Sequence, residues 1–189
     1  MAKHQLPPPE VLRQLLRYEP ETGMFFWLPR SVEWFEGKCI APEKSCSNFN
    51  RQYAGKRALH SVDDKGYHYG EVLQKKVKAH RVAWAHHYGA WPTREVDHIN
   101  GDRQDNRISN LRDVSSGENS RNTRLSSRNT SGVMGVAWSH QAGKWHAQIR
   151  KNGRIRHLGY FEKIEDAALA RKAAERDLGF HPNHGRAAA

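Results

Sequence analysis

Cysteine is scarce in this 189-residue sequence, which holds only Cys39 and Cys46. Two thiols cannot staple a secreted scaffold or form a four-cysteine zinc site. A mixed site with His60 or His68 would need a spacing that fits no usual pattern, and the plainer reading is two reduced thiols in a loop-rich segment. Long apolar runs are missing as well. No stretch approaches the ~20 residues of a membrane helix, and residues 1–9 contain no apolar core for a signal peptide. A soluble, cytoplasmic protein with no membrane partner is therefore expected. Acid is absent from one long stretch: between Asn119 and Phe161 there is no Asp or Glu.

Positive charge is abundant instead. The formal net charge is +11, which favours a polyanionic partner. Hydrophobic residues make up 37%, enough for small cores but not for one large one. Residues 9–18 read as a short helix opening with prolines, followed by a turn at Glu19–Gly23 and a strand at Met24–Leu28. Residues 29–53 are irregular and resist assignment. Strands are expected around Gly55 and from Tyr67 to Val77. A helix over residues 79–88 stops at Gly89 and Pro92. Residues 95–114 read as two short strands around a long polar loop. Ser115 and Glu118 fit a capping box, which starts another helix near Ser116. Residues 120–131 have a linker's composition. Beyond Gly132 come three strands, at Val133–Trp138, Lys144–Arg150 and Arg154–Leu158, with Asn152-Gly153 as a hairpin turn between the last two. An amphipathic helix spans residues 163–178, and a disordered tail is expected at 181–189. The domains expected are thus an N-terminal helix/strand region (1–53), a core (54–123), a basic linker (124–131), a sheet-plus-helix module (132–180) and the tail.

The chemistry concentrates in Val96-Asp97-His98-Ile99-Asn100-Gly101-Asp102, Asn110-Leu111-Arg112 and Glu118-Asn119. Phosphodiester hydrolysis needs a base to deprotonate water and a hard cation at the scissile phosphate. His98 suits the base, since an unperturbed imidazole titrates near pH 6.5. Asp97 and the amide oxygen of Asn119 are oxygen donors of the kind Mg²⁺ takes. Side chains of adjacent strand residues point to opposite sides, so Asp97 and His98 would flank a phosphate lying between them. Against this stands the bland reading of a polar turn built from ordinary Asp, Asn and Gly. A calcium loop is excluded because Ile99 sits where a ligand is needed.

Together these runs resemble the HNH homing endonucleases of phages, over roughly residues 15–123. The resemblance implies a ββα-metal (His-Me finger) core, with His98 as general base and Asp97 and Asn119 as metal ligands. It makes Asn110 the middle Asn, which braces the loop and orients the histidine. Asn in place of His at the last position favours Mg²⁺ or Mn²⁺ over zinc. His80 is placed near the site or in helix packing, and His86 and His87 in structural or solvent-facing roles.

The acid-free stretch holds Arg121, Arg124, Arg128, Lys144, Arg150, Lys151, Arg154 and Arg156. Acids return in the final helix, which suits a sheet laid on phosphates with the helix behind it. Trp138 and Trp145 are by default sheet-packing residues. Ser131-Gly132-Val133-Met134-Gly135-Val136, His157-Leu158-Gly159-Tyr160-Phe161 and Glu165-Asp166-Ala167-Ala168 resemble the plant ethylene-response-factor (APETALA-type) domain. That implies DNA contacts from the sheet face, at Gln148, Arg150, Arg154, Arg156 and His157. Parity is uneasy, because Arg156 would share a face with the apolar Leu158 unless the strand is bulged.

The expectation is an α+β, two-module, divalent-cation-dependent endonuclease on double-stranded DNA, and the resemblance to the HNH family implies a 5′-phosphate and a 3′-hydroxyl as products. A monomer that nicks is favoured, and a homodimer would cut both strands. The rivals are a non-cleaving DNA-binding regulator on a nuclease-derived scaffold and an RNA-binding protein, the latter without any aromatic RNA platform.

Overall fold

The computed structural model describes residues 6–120, 125–126, 128–182 and 184–185, the side chains of Glu118 and Ser120 excepted. The chain divides into two compact units, one of residues 1–98 and 102–113, the other of 99–101 and 114–189. Among the described residues, no helix is long and apolar enough to cross a membrane.

In the first unit, α1 (Pro9–Leu15) opens with proline in its first turn, where a missing N–H costs nothing. The helix is shorter than its sequence pattern suggests. Leu16 turns extended, and Leu16–Glu19 becomes strand β1, paired antiparallel with β2 (Met24–Trp27). The pairing seats Tyr18 opposite Phe25, with their buried rings stacked at 4.7 Å, and leaves Arg17 exposed. An extended chain gains that cross-strand contact and a helix would lose it. A short strand β3 (Arg57–Ala58) joins β2.

The segment that resists assignment from sequence contains a 3₁₀ turn (Val32–Trp34) and a 12-residue helix, α2 (Pro42–Tyr53). Pro42 and Glu43 mark its start, but one buried residue, Cys46, in a largely polar run hides its periodicity. A second sheet joins β4 (Ser61–Val62), β5 (His68–Val72) and β6 (Lys75–Lys78). Its last hairpin turns through Leu73 and Gln74, both at positive φ, without the Gly or Asn that usually signals such a turn. Helix α3 (Ala79–Tyr88) ends at Gly89 in the left-handed region, as expected. It buries Val82, Ala83 and Ala85 in one core with Leu12, Leu15, Phe25 and Val72. Strands β7 (Glu95–His98) and β8 (Leu111–Val114) pair, and the polar loop between them ends in a 3₁₀ turn at Ile108–Asn110.

The second unit starts with α4 (Ser116–Ser120), where the capping pattern places it; the reach of the Glu118 side chain lies outside the described residues. Strands β9 (Val136–Ser139), β10 (Lys144–Lys151) and β11 (Arg154–Phe161) form an antiparallel sheet, with β10 central. Asn152 and Gly153 both take positive φ in the β10–β11 turn. Helix α5 (Ile164–Asp177) packs on the sheet through Ala167 against a thin core of Val136 and Ala147. Arg171, also buried, pairs with Glu175 at 2.9 Å. The stretch expected to be disordered contributes here, because His184 is buried and accepts a hydrogen bond from Arg171 at 3.2 Å.

Candidate active site

Asp97 and His98 end strand β7 and meet different partners, as strand alternation requires. The Asp97 carboxylate accepts from Nε and NH2 of Arg112 on the paired strand β8, at 3.1 and 2.7 Å. The His98 imidazole is only 3% exposed. Its Nε2 lies 3.3 Å from Oδ1 of Asn106, a residue that is itself buried. Neither Arg112 nor Asn106 was singled out from the sequence. Arg112 looks like an ordinary strand cation, and Asn106 like one more turn residue in a polar loop.

The Asn106 contacts fix the proton on His98. The Asn106 Nδ2 group lies 3.1 Å from the Gln104 carbonyl, which can only accept. That end of the amide is therefore nitrogen, and the oxygen faces the histidine. An oxygen acceptor requires His98 Nε2 to be the donor, so the lone pair resides on Nδ1. The same Nδ2 group lies 3.3 Å from Nδ1 of His68, which is thereby an acceptor as well. Burial pushes the His98 pKa below its ordinary value, despite opposing help from Asn106 and from Asp97. At neutral pH the ring is uncharged and able to take a proton.

Aromatic rings wall the histidine. His80 packs edge-on at 5.1 Å between ring centres, and Tyr67 lies at 5.9 Å. His80 thus stands beside His98 and also packs α3. Burial first, and the neighbouring His98 second, push its pKa down to about 3. Its Nδ1 is buried without a hydrogen-bond partner among the described residues. His86 is structural: Nε2 meets the Leu16 carbonyl at 3.0 Å.

The loop carrying Asn106 is built to stay still. Asn110 Nδ2 donates to the Asp105 carbonyl at 2.8 Å. Arg107 grips the Asp105 carboxylate with two nitrogens, at 2.8 and 2.6 Å. From below, the Tyr18 hydroxyl donates to the Asn106 carbonyl at 2.7 Å, and Ile108 N–H to the Pro20 carbonyl at 3.1 Å. Gly23 closes the β1–β2 turn so near that a Cβ there would lie 2.5 Å from the Arg107 nitrogen, and its φ of +73° already favours glycine. The upstream Tyr18–Gly23 segment is therefore the floor of the histidine loop.

Asn119 belongs to the second unit, in α4. Its amide and the Asp97 carboxylate, which pairs with Arg112 at 2.7 Å, are both hard oxygen donors. This chemistry fits Mg²⁺ or Mn²⁺, which take one or two protein ligands and keep water for the rest. Among the described residues no three His, Cys, Asp or Glu side chains gather as a metal cluster.

On the second unit the expected contact residues separate by register. Ala147 pairs with Gly159 but Gln148 with His157, so Leu158 is an extra residue and β11 is bulged. The bulge carries His157 to the face of Gln148 but leaves Arg156 off it, against the expectation that all five residues share one contact face. Opposite residues share a face, so Gln148, Arg150, His157 and Ile155 lie on the face away from the buried Ile149. Arg156 is opposite Ile149 and Arg154 opposite Lys151, on the other face. His146 and Tyr160, not anticipated as contacts, join the open face. The His146 and His157 rings stack at 4.8 Å with Nε2 and Nδ1 2.8 Å apart. Lys144 is tied to Glu162 at 2.8 Å. Arg128 is exposed, while Arg121 and Arg124 lie outside the described residues.

Residues 77–121 match the family model of HNH endonucleases. The match covers α3, the β7–β8 pair, the loop and α4, and stops before the C-terminal sheet. Protein 3.8 of Escherichia phage T7 is 31% identical over 73 residues, which is 39% of this chain and 60% of that protein. The chain thus spans about 60% of the length of the curated relative it matches. No solved structure matches the chain. HNH nucleases generally use a divalent metal ion.

Proposed function

We propose that the protein is a divalent-cation-dependent endonuclease acting on double-stranded DNA. The observation that carries this reading is the buried His98, its tautomer set by Asn106, next to Asp97 within the HNH match. In this reading Nδ1 of His98 takes a proton from water as the oxygen attacks phosphorus. Asn106 holds the ring so that the lone pair stays on Nδ1, and Asn110 keeps the loop in place. A cation held by Asp97 and Asn119 would offset charge on the scissile phosphate and stabilise the leaving oxygen. The products are a 5′-phosphate and a 3′-hydroxyl. The residues around these groups form a ββα-metal core in this reading.

The second unit acts as the grip. Three strands and a helix present Gln148, Arg150 and His157 on one open face, in the manner of an ethylene-response-factor domain. Arg121, Arg124, Arg128, Lys144, Arg154 and Arg156 add attraction to phosphates. A monomer would nick one strand. The competing reading, a non-cleaving DNA-binding regulator, draws on the 3% exposure of His98, since a base must reach water. Incubating supercoiled plasmid with the protein and Mg²⁺, with and without chelator, separates the two. Chelator-sensitive nicking lost in His98→Ala supports the nuclease. Binding without any nicking would leave the regulator.

A further inference from the structure

A second site stands apart from the histidine loop within the first unit. Between β2, the 3₁₀ turn, α2 and the β5–β6 hairpin lies an open cleft of about 910 Å³. Its lining includes Trp34, Phe35, Phe49 and Tyr53 with Arg30 and Lys38. Such a volume falls in the range of small-ligand sites, roughly 300–1,000 Å³. Phe49 packs against Trp27, Phe35 and Tyr53, yet the space beside these rings stays open, and Tyr53 is 40% exposed.

Arg30 makes the cleft selective. Its main chain is clamped to α2: N–H donates to Asn50 Oδ1, and its carbonyl accepts from Asn50 Nδ2, both at 2.8 Å. The Cys46 thiol adds a bond to the same carbonyl at 3.2 Å. The guanidinium lies over the Phe49 ring at 3.9 Å and near Trp27 at 5.5 Å. Its Nε is buried and has no hydrogen-bond partner among the described residues. Among the described residues no carboxylate pairs with it, and the acid in the lining, Glu71, is exposed. A guanidinium that lines the cleft with no carboxylate partner among the described residues is a phosphate receptor. Flat rings beside it are platforms on which any base stacks.

We propose that this cleft takes one unpaired nucleotide of the DNA substrate, its phosphate on Arg30 and its base against the Tyr53 and Trp34 rings. The inference rests on the nuclease reading only for the identity of the polymer. It gives the protein a preference for sites where a nucleotide is already out of the stack, or is easily drawn out. Lys38, whose Nζ is held by the Trp34 carbonyl at 2.9 Å, supplies a second cation to the same strand.

Cys39 offers a direct probe, because it lines the cleft and is exposed, whereas Cys46 is buried. The full chain, in chelator so that no cleavage occurs, is mixed with a duplex bearing one unpaired nucleotide or with its fully paired counterpart. Maleimide labelling of Cys39 should slow several-fold with the first duplex and little with the second. The first duplex should also bind about tenfold more tightly, a usual effect of one stacked base. Arg30→Gln and Tyr53→Ala should each remove that preference while leaving affinity for the paired duplex and plasmid nicking near wild type. Tyr53 is exposed enough that its variant keeps its thermal melt should Arg30→Gln lose it. Equal labelling and equal affinity for both duplexes, or no binding to either, overturns the proposal. A protein that never nicks plasmid but shows the preference would refute the nuclease reading and leave the cleft standing.

Discussion

The two units solve opposite problems with polar residues. The first buries them: His80, His98, Asn106 and Asn110 are all buried, and the hydrogen bonds of His98 and Asn110 hold a ring and a loop in one position. The second unit buries Arg171, Glu175 and His184 beside its helix, but it displays the polar residues expected to meet DNA on an open sheet face above a small core of Val136, Ala147 and Ala167. Burial suits a base, which needs a fixed tautomer and a tuned pKa. Exposure suits a grip, which needs charge within reach of phosphates. A polar group's work is thus readable from whether the fold withholds it from water or presents it.

The largest expected effect belongs to the exposed half. If the basic stretch neutralises about six phosphates, DNA affinity should fall about a thousandfold or more between 50 and 200 mM salt. Binding titrations across salt measure the slope, and a flat slope would break the contrast at once. Next, register sharpens it. Arg150 stands on the open face and Arg156 opposite Ile149. Arg150→Ala should cost about 1–3 kcal/mol and relax choice at one base position, if it makes a bidentate base contact. Arg156→Ala should weaken binding less, and equally on all sequences. The reverse ranking would place the reading face on the other side of the sheet.

The buried half makes smaller but more pointed claims. Asn106→Leu removes the acceptor that fixes the His98 tautomer and helps to hold its pKa up. Cleavage should slow by less than the factor of about 10²–10⁴ that a positioned base contributes, because the ring itself remains. The acid limb of the rate profile should move to lower pH, because burial then acts with less opposition. Unfolding gives a further check. His80, His86 and His98 all have pKa values lowered by burial from 6.5, His80 to about 3. Their neutral forms stabilise the fold above pH 6.5. Below it the unfolded chain takes up protons that the buried rings refuse, so stability falls as pH drops toward 3. His80 costs about 1.4 kcal/mol per pH unit across that window, and His86 and His98 add to the fall only down to their own lowered pKa values. Urea midpoints from pH 7 to 4 measure the fall, and a midpoint that does not move would contradict the burial.

Elements with strong local signals were legible in the sequence. Helix α3 has Gly89 to stop it, the β10–β11 turn has Asn152-Gly153, and the Asp97-His98 pair has its motif. What escaped depends on distant partners. Leu16–Glu19 looks helical until Phe25 is placed opposite Tyr18. Helix α2 looks like loop because one cysteine is its only buried residue. Asn106 is an ordinary loop amide until Tyr18, Gly23 and His98 surround it. Leu158 breaks the strand's alternation only through a bulge, which shows in the pairing and not in the periodicity.

The central claim is that His98 and Asp97 do different jobs side by side. Single-turnover cleavage of DNA by the wild type, His98→Ala and Asp97→Ala, each across a Mg²⁺ titration, tests it most directly. His98→Ala should lose about 10²–10⁴-fold in rate at every metal concentration, with DNA affinity nearly unchanged. The defect of Asp97→Ala should ease as Mg²⁺ rises. A His98→Ala protein that cuts at the wild-type rate, or one whose defect metal cures while that of Asp97→Ala persists, would contradict the account.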